Sequence, residues 1–164
     1  MAADPQHDDE VVIPALLRAA RGAYGHAVRS RLADGDFDDL PANGPYVLGG
    51  IANHGGTAAG LIRELGISKQ AASQLVDALV IRGYLERRVD EADRRRLTLE
   101  LTERGRAAAA AVRAGVVSID EELAARLTEQ ELAGLRRGLV ALTEIREELE
   151  EAAGRAPAPG RDAP

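Results

Sequence analysis

The stretch from Leu65 to Gly105 constrains the chain most, because a helix start, a helix stop and an arginine-dense turn follow one another there in direct succession. Gly66 interrupts one helical pattern, and Ser68 can cap the next by offering its hydroxyl oxygen to the unpaired backbone N–H groups of a first turn. Ile67, Ala71, Leu75 and Leu79 recur at helical spacing and predict a buried face. Lys69, Gln70, Ser73, Gln74 and Asp77 fall largely on the other side, and Gly83 ends the helix where a left-handed residue carries no steric penalty. Short polar donors therefore crowd the opening turns of an exposed helix.

After that helix, Leu85, Arg87 and Val89 alternate with their neighbours, a polar turn runs from about Asp90 to Arg96, and Leu97, Leu99 and Leu101 alternate again before Thr102 caps a new helix. This is the pattern of a strand, a charged turn and a strand. A helix-turn-helix followed by a basic hairpin is a winged helix-turn-helix. Its second helix can enter a major groove while the hairpin reaches along the backbone or into the minor groove. The expected fold is mainly α with a small β-hairpin wing, flanked by terminal dimerisation helices.

The same residues carry a family resemblance. Asp90-Glu91-Ala92-Asp93-Arg94-Arg95, then Leu101, Thr102 and Gly105, preceded by Arg82-Gly83-Tyr84-Leu85-Glu86-Arg87, resemble without a gap the wing of the MarR (multiple antibiotic resistance regulator) family of bacterial transcription factors. That wing reads Asp-Pro-x-Asp-Arg-Arg and runs into Leu-Thr-x-x-Gly. Glu91 stands where the family usually has proline, which implies a less rigid wing turn. The resemblance implies a homodimeric, often ligand-responsive repressor or activator. It also implies that Asp93 pairs with a wing arginine and fixes its direction, a role to which Arg–carboxylate geometry is suited. Family members often bind small aromatic or phenolic effectors in a crevice between dimerisation helices and DNA-binding lobe. Here Tyr24, Phe37 and Tyr46, most of the chain's few aromatics, are the candidates to line it, although each also suits plain core packing.

Charge bears on this reading, since the whole chain is formally −6, the wrong sign for a binder of a dense polyanion. From Arg63 to Arg106, however, ten basic residues face eight acidic ones, a net of +2. An acidic body behind a locally basic wing predicts weak non-specific binding and a preference for a fitted site. At 164 residues the chain suits one compact unit per subunit. With no cysteine, disulfides, thiol redox sensing and Cys-ligated zinc are excluded. Residues 1–10 form an acidic arm without an apolar run, so neither a signal peptide nor a membrane span is expected, and the expected location is the cytoplasm.

The remaining chain reads as support. Over residues 11–33, Ile13, Leu17, Ala20, Tyr24, Val28 and Leu32 trace the apolar stripe of a dimerisation helix, with Pro14 in its opening turn or ending it early. Residues 34–103 form the DNA-binding lobe. It opens with the polar loop Asp34–Asp39, then a short helix after Asn43-Gly44-Pro45 with Tyr46, Val47, Leu48 and Ile51 on its apolar side, and a helix capped by Thr57 that carries Leu61, Ile62 and Leu65. Gly49 and Gly50 weaken the short helix, which predicts tertiary support or a close neighbour. Residues 104–152 give two further dimerisation helices. The first has an alanine run that admits a close neighbour; the second starts at a capping box, Thr128 to Glu131, and carries a seam of Leu132, Leu135, Leu139, Leu142, Ile145 and Leu149. Residues 153–164 read as a disordered tail.

Within this frame Ser68, Lys69, Gln70, Ser73 and Gln74 are the candidate recognition-helix contacts. Arg95 is the candidate for the minor groove, with Arg94 and Arg96 on phosphates. Arg63 suits a phosphate or a surface ion pair equally. The expected partners are double-stranded DNA carrying a pseudo-palindromic operator, a second copy of the chain, and a small aromatic effector, with no membrane. His7, His26 and His54 show no ligand spacing, so no metal or other cofactor is expected. No nucleophile, base and orienter occur together, and the glycine pairs lack a following Lys-Ser/Thr, so no enzyme is indicated. Two other classes remain open: a winged-helix module for protein–protein contact without DNA binding, and a helical enzyme or ligand carrier.

Overall fold

A computed structural model describes residues 12–54, 65–89 and 97–155. Among them are five helices and one hairpin: α1 (Ile13–Asp34), α2 (Gly44–His54), α3 (Lys69–Ile81), β1 (Leu85–Val89), β2 (Leu97–Leu101), α4 (Glu103–Ala124) and α5 (Glu129–Arg155). The fold is the expected one, mainly helical with a two-stranded antiparallel wing. The helix starting at Thr57, up to residue 64, and the wing tip lie outside the described residues, as do the acidic arm and residues 156–164; residues 153–155, expected in a disordered tail, instead continue the last helix to Arg155. No described helix is long and apolar enough to cross a membrane.

The chain divides into two compact units, residues 1–119 and 120–164. In the first, one core joins Val28 and Leu32 of α1, Val47, Leu48 and Ile51 of α2, Leu79 of α3, Tyr84, the strand residues Leu85 and Leu101, and Ala108, Ala109 and Val112 of α4. Pro14 sits in the opening turn of α1, where its missing N–H costs no hydrogen bond. The expected α1 stripe behaves differently at its two ends. Val28 and Leu32 are buried, whereas Val12, Ile13, Leu16 and Leu17 are exposed. The helix ends at Gly35, and Asp36 takes a left-handed φ of 58°, letting Phe37 N–H donate back to the Leu32 carbonyl at 3.0 Å. An Asp tolerates that conformation better than most side chains.

Small residues set how closely α1 and α4 approach. A Cβ on Gly115 would lie 2.7 Å from Val28 Cα and 2.9 Å from its nitrogen, so α4 meets α1 backbone to backbone. Ala108 and Ala109 are buried on the same helix, as the alanine run led one to expect. For α2 the tertiary support is what the fold supplies. The helix is supported by the buried Val47, Leu48 and Ile51, yet a Cβ on Gly49 would meet nothing within 4 Å, so Gly49 does not serve a close approach.

The second unit holds the last turn of α4 and all of α5. The capping box at its start is formed: Thr128 N–H donates to Glu131 Oε2 at 2.7 Å, and Glu131 N–H to Thr128 Oγ1 at 3.3 Å. Donation to Glu131 Oε2 from the Thr128 hydroxyl, at 2.7 Å, and then from Thr128 N–H holds the Glu131 carboxyl below its ordinary pKa. Along α5, Leu135, Leu139, Leu142, Ile145 and Leu149 remain exposed in a single chain.

Candidate nucleic-acid interface

The exposed polar helix is built as its sequence implied at both ends. Ser68 is extended (φ −62°, ψ 152°) and its Oγ accepts from Ala71 N–H at 3.2 Å, which starts α3. At the other end Gly83 is left-handed at φ 73°, Gly83 N–H donates to the Val80 carbonyl at 3.0 Å and Tyr84 N–H to the Leu79 carbonyl at 2.9 Å. That pair of bonds is a Schellman closure. Between the caps, Lys69, Gln70, Ser73, Gln74, Asp77 and Ile81 are exposed along one side. The buried side centres on Ala72 and Leu79, with Ala71, Leu75 and Val76 half-buried and Ile67 half-buried just before the helix. Of two adjacent alanines the fold buries Ala72 rather than the expected Ala71, a one-residue turn of the face that alanine's weak hydropathy leaves the sequence unable to decide.

Helix and wing meet at Tyr84, buried directly after the Schellman turn. Its ring stands edge-on to Phe37, with centroids 6.2 Å apart, while the Arg104 guanidinium lies 4.5 Å from its centroid. Its hydroxyl donates to Asp39 Oδ1 at 2.5 Å, and Arg104 Nη2 donates to the same oxygen at 2.9 Å. Arg82 Nη1 donates to the Asp39 backbone carbonyl at 2.6 Å. Burial, then the hydrogen bond and charge of Asp39, push the Tyr84 phenol from 10.0 up to about 12. Asp39 therefore joins the loop after α1, the end of α3 and the start of α4. Nothing in its sequence context distinguishes it from Asp34, Asp36 and Asp38, so it was legible only as part of a polar loop.

The hairpin pairs Leu85 with Leu101, Arg87 with Leu99 and Val89 with Leu97. On its charged side Glu86 stands opposite Glu100, and Arg88 spans them, with Nη2 2.9 Å from Glu86 and Nε 3.4 Å from Glu100. Arg87 pairs with Asp77 of α3. Thr102 then closes the wing. Its Oγ1 donates to the Gly83 carbonyl at 2.6 Å and accepts from Gly105 N–H at 3.0 Å, so one hydroxyl links the end of α3 to the start of α4. A Cβ on Gly105 would lie 2.0 Å from the Tyr84 carbonyl oxygen, which explains physically why Leu-Thr-x-x-Gly ends in glycine.

Of the candidate residues, Ser68, Lys69, Gln70, Ser73 and Gln74 come together on the opening turns of α3. Asp93, Arg94, Arg95 and Arg96, with Arg63, lie outside the described residues. The three aromatics do not share one setting: Phe37 is engaged by Tyr84 and packs across Gly35, Tyr46 is exposed on α2, and Tyr24 is half-buried on α1.

Residues 38–96 match the model of the MarR family. Among curated proteins no relative matches the chain. Solved structures similar to it include apo MarR from E. coli, at 24% identity over 80% of this chain and 97% of that one, with a TM-score of 0.57. Another MarR family transcription regulator reaches a TM-score of 0.66 at 23% identity, over 88% of this chain and 89% of its own. S. aureus MepR bound to ethidium bromide aligns at 20% identity over 83% of this chain and 97% of that one, with a TM-score of 0.56. The segment built on α3 and the hairpin thus matches the MarR family over residues 38–96, on a chain with the fold of the MarR-type regulators.

Proposed function

We propose that the protein is a homodimeric, sequence-specific DNA-binding transcriptional regulator that acts as a repressor in the cytoplasm and is released by a small aromatic effector. The observation that carries the DNA reading is the exposed row Lys69, Gln70, Ser73 and Gln74 on a helix capped at both ends, followed at once by a hairpin wing, inside the segment that matches the MarR family. Polar side chains on the first turns of such a helix suit base edges in the major groove. Arg95 then reaches the minor groove, Arg94 and Arg96 hold phosphates, and Asp93 orients the wing. Dimerisation draws support from the exposed apolar residues along α5 and, separately, at the start of α1. The effector reading draws support from the family resemblance and from the ethidium-bound MepR, and assigns Tyr24, Phe37 and Tyr46 to its site.

Footprinting of the protein on the DNA upstream of its own gene tests the central claim. Protection of one site with two related half-sites is the expected result. Absence of duplex binding at every salt concentration would favour a winged-helix module for protein contact instead.

A further inference from the structure

The exposed stripe of α3 does not stop at Gln74 but continues through Asp77 to Ile81. Asp77 therefore puts a carboxylate on the helix face proposed above to meet a polyanion, where a bare negative charge would repel phosphate. It is not bare. Arg87 Nη2, from the middle of β1, donates to Asp77 Oδ1. The other described arginines around the hairpin are engaged elsewhere: Arg82 and Arg104 on Asp39, Arg88 on Glu86 and Glu100, and Arg106 on the Leu101 carbonyl, so none of the four stands in for Arg87. The Asp77–Arg87 pair is about half exposed on both sides and adds little to folding stability. Its consequence is local: it cancels one charge on the α3 stripe and ties the wing strand to the helix.

We propose that Arg87 is a positioning residue for DNA recognition, masking Asp77 and fixing the wing to α3, so that operator reading depends on the pair rather than on either charge. This deepens the DNA-reading function proposed above and rests on it. The test uses the full chain, the footprinted operator and a scrambled duplex of equal length, with affinity measured across a salt series. Arg87→Ala unmasks the carboxylate and frees the wing strand from α3, so the scrambled duplex weakens by about tenfold and the operator by more. Asp77→Asn releases Arg87 to a phosphate, so the scrambled duplex binds more tightly, the salt slope steepens by about one unit, and operator preference narrows. The double variant is neutral again at this site and returns to within about twofold of the unaltered protein on scrambled DNA, with the operator preference still narrowed.

A purely structural pair would lower the melting temperature and shift both duplexes equally, with the salt slope unchanged, and that result overturns the proposal. So does a double variant that keeps the full operator preference of the unaltered protein. Asp77→Asn keeps the side chain's shape, so its salt slope decides the matter even if Arg87→Ala proves unstable. An unaltered protein that binds no duplex at any salt overturns the underlying DNA reading, a result distinct from normal binding with an unchanged salt slope in Asp77→Asn.

Discussion

The Tyr84 hydroxyl donates to the Asp39 carboxylate at 2.5 Å across 45 residues of sequence, and this bond fixes the root of the wing against the loop that ends α1. The ring beneath it is buried and bracketed by Phe37 and Arg104, so the hydroxyl has few other ways to be satisfied. Replacing Tyr84 with Phe keeps the packing and removes the donor. We expect a loss of about 1–2 kcal/mol at neutral pH, measured by denaturant unfolding, because the acceptor is charged but partly solvated and keeps Arg104.

The same bond predicts a pH dependence. The folded state raises the Tyr84 phenol from 10.0 to about 12, so the neutral form is the one the fold stabilises. Its contribution is fully present below pH 10 and is lost as pH rises from 10 through 12. Unfolding curves of the unaltered protein and of Tyr84→Phe should therefore converge over that window. A difference that stays constant from neutral pH to 12 would show that Tyr84 titrates as it does in the unfolded chain.

Two glycines should respond in opposite directions to alanine. At Gly105 the new methyl would meet the Tyr84 carbonyl oxygen at 2.0 Å, and neither backbone can yield without moving the wing or α4. A destabilisation of about 3 kcal/mol or more is expected there. At Gly49 a methyl meets nothing within 4 Å, so Gly49→Ala should stabilise by up to about 1 kcal/mol through helix propensity alone. Thermal melts of the two variants check both signs.

What the sequence revealed and what it hid follow one physical division. Ser68, Gly83, Thr102 and the Thr128–Glu131 box act on backbone within a few residues of themselves, so their chemistry could be read locally, and each forms the expected cap or closure. Leu85, Leu99 and Leu101 likewise announced the hairpin through alternation. Asp39 and Arg104 could not be read this way. Their partners lie 45 and 65 residues off, and a loop with several aspartates gives no sign of which one the fold will use. The α1 stripe was periodic throughout, but periodicity cannot say that Val28 and Leu32 enter the subunit's own core while Ile13 and Leu17 do not.

Base reading should depend on α3 position by position. Replacing Gln70, Ser73 or Gln74 with alanine is expected to relax preference at particular operator positions, at about 1–3 kcal/mol for any side chain with a good bidentate base contact. Arg95→Ala should weaken operator binding selectively, whereas Arg94→Ala or Arg96→Ala should weaken all duplexes alike. Binding to a randomised operator library measures these profiles. Unchanged preferences across the three α3 variants would assign readout to DNA shape instead.

Assembly gives the last prediction. On α5 the apolar row recurs every three or four residues, and Leu139 and Leu142 are each 41% exposed in a single chain, too much apolar area to leave in water along one helix. Charged residues such as Arg136, Glu144 and Glu147 flank the row, the distribution expected where a second helix covers the seam and solvent wets its edges. A second copy of the chain would cover it with two-fold symmetry, matching a palindromic site whose half-sites lie about one duplex turn, roughly 34 Å, or a multiple of it apart. Leu139→Glu combined with Leu142→Glu forces unpaired charges into that seam and should give a monomer. Thr128 and Glu131 cap α5 outside the altered turn, so its helical content should survive. Operator affinity should fall with the dimer, since one lobe reads only half a site. Sedimentation of the unaltered protein as a monomer at micromolar concentration, or full operator affinity in a monomeric double variant, would overturn this assembly.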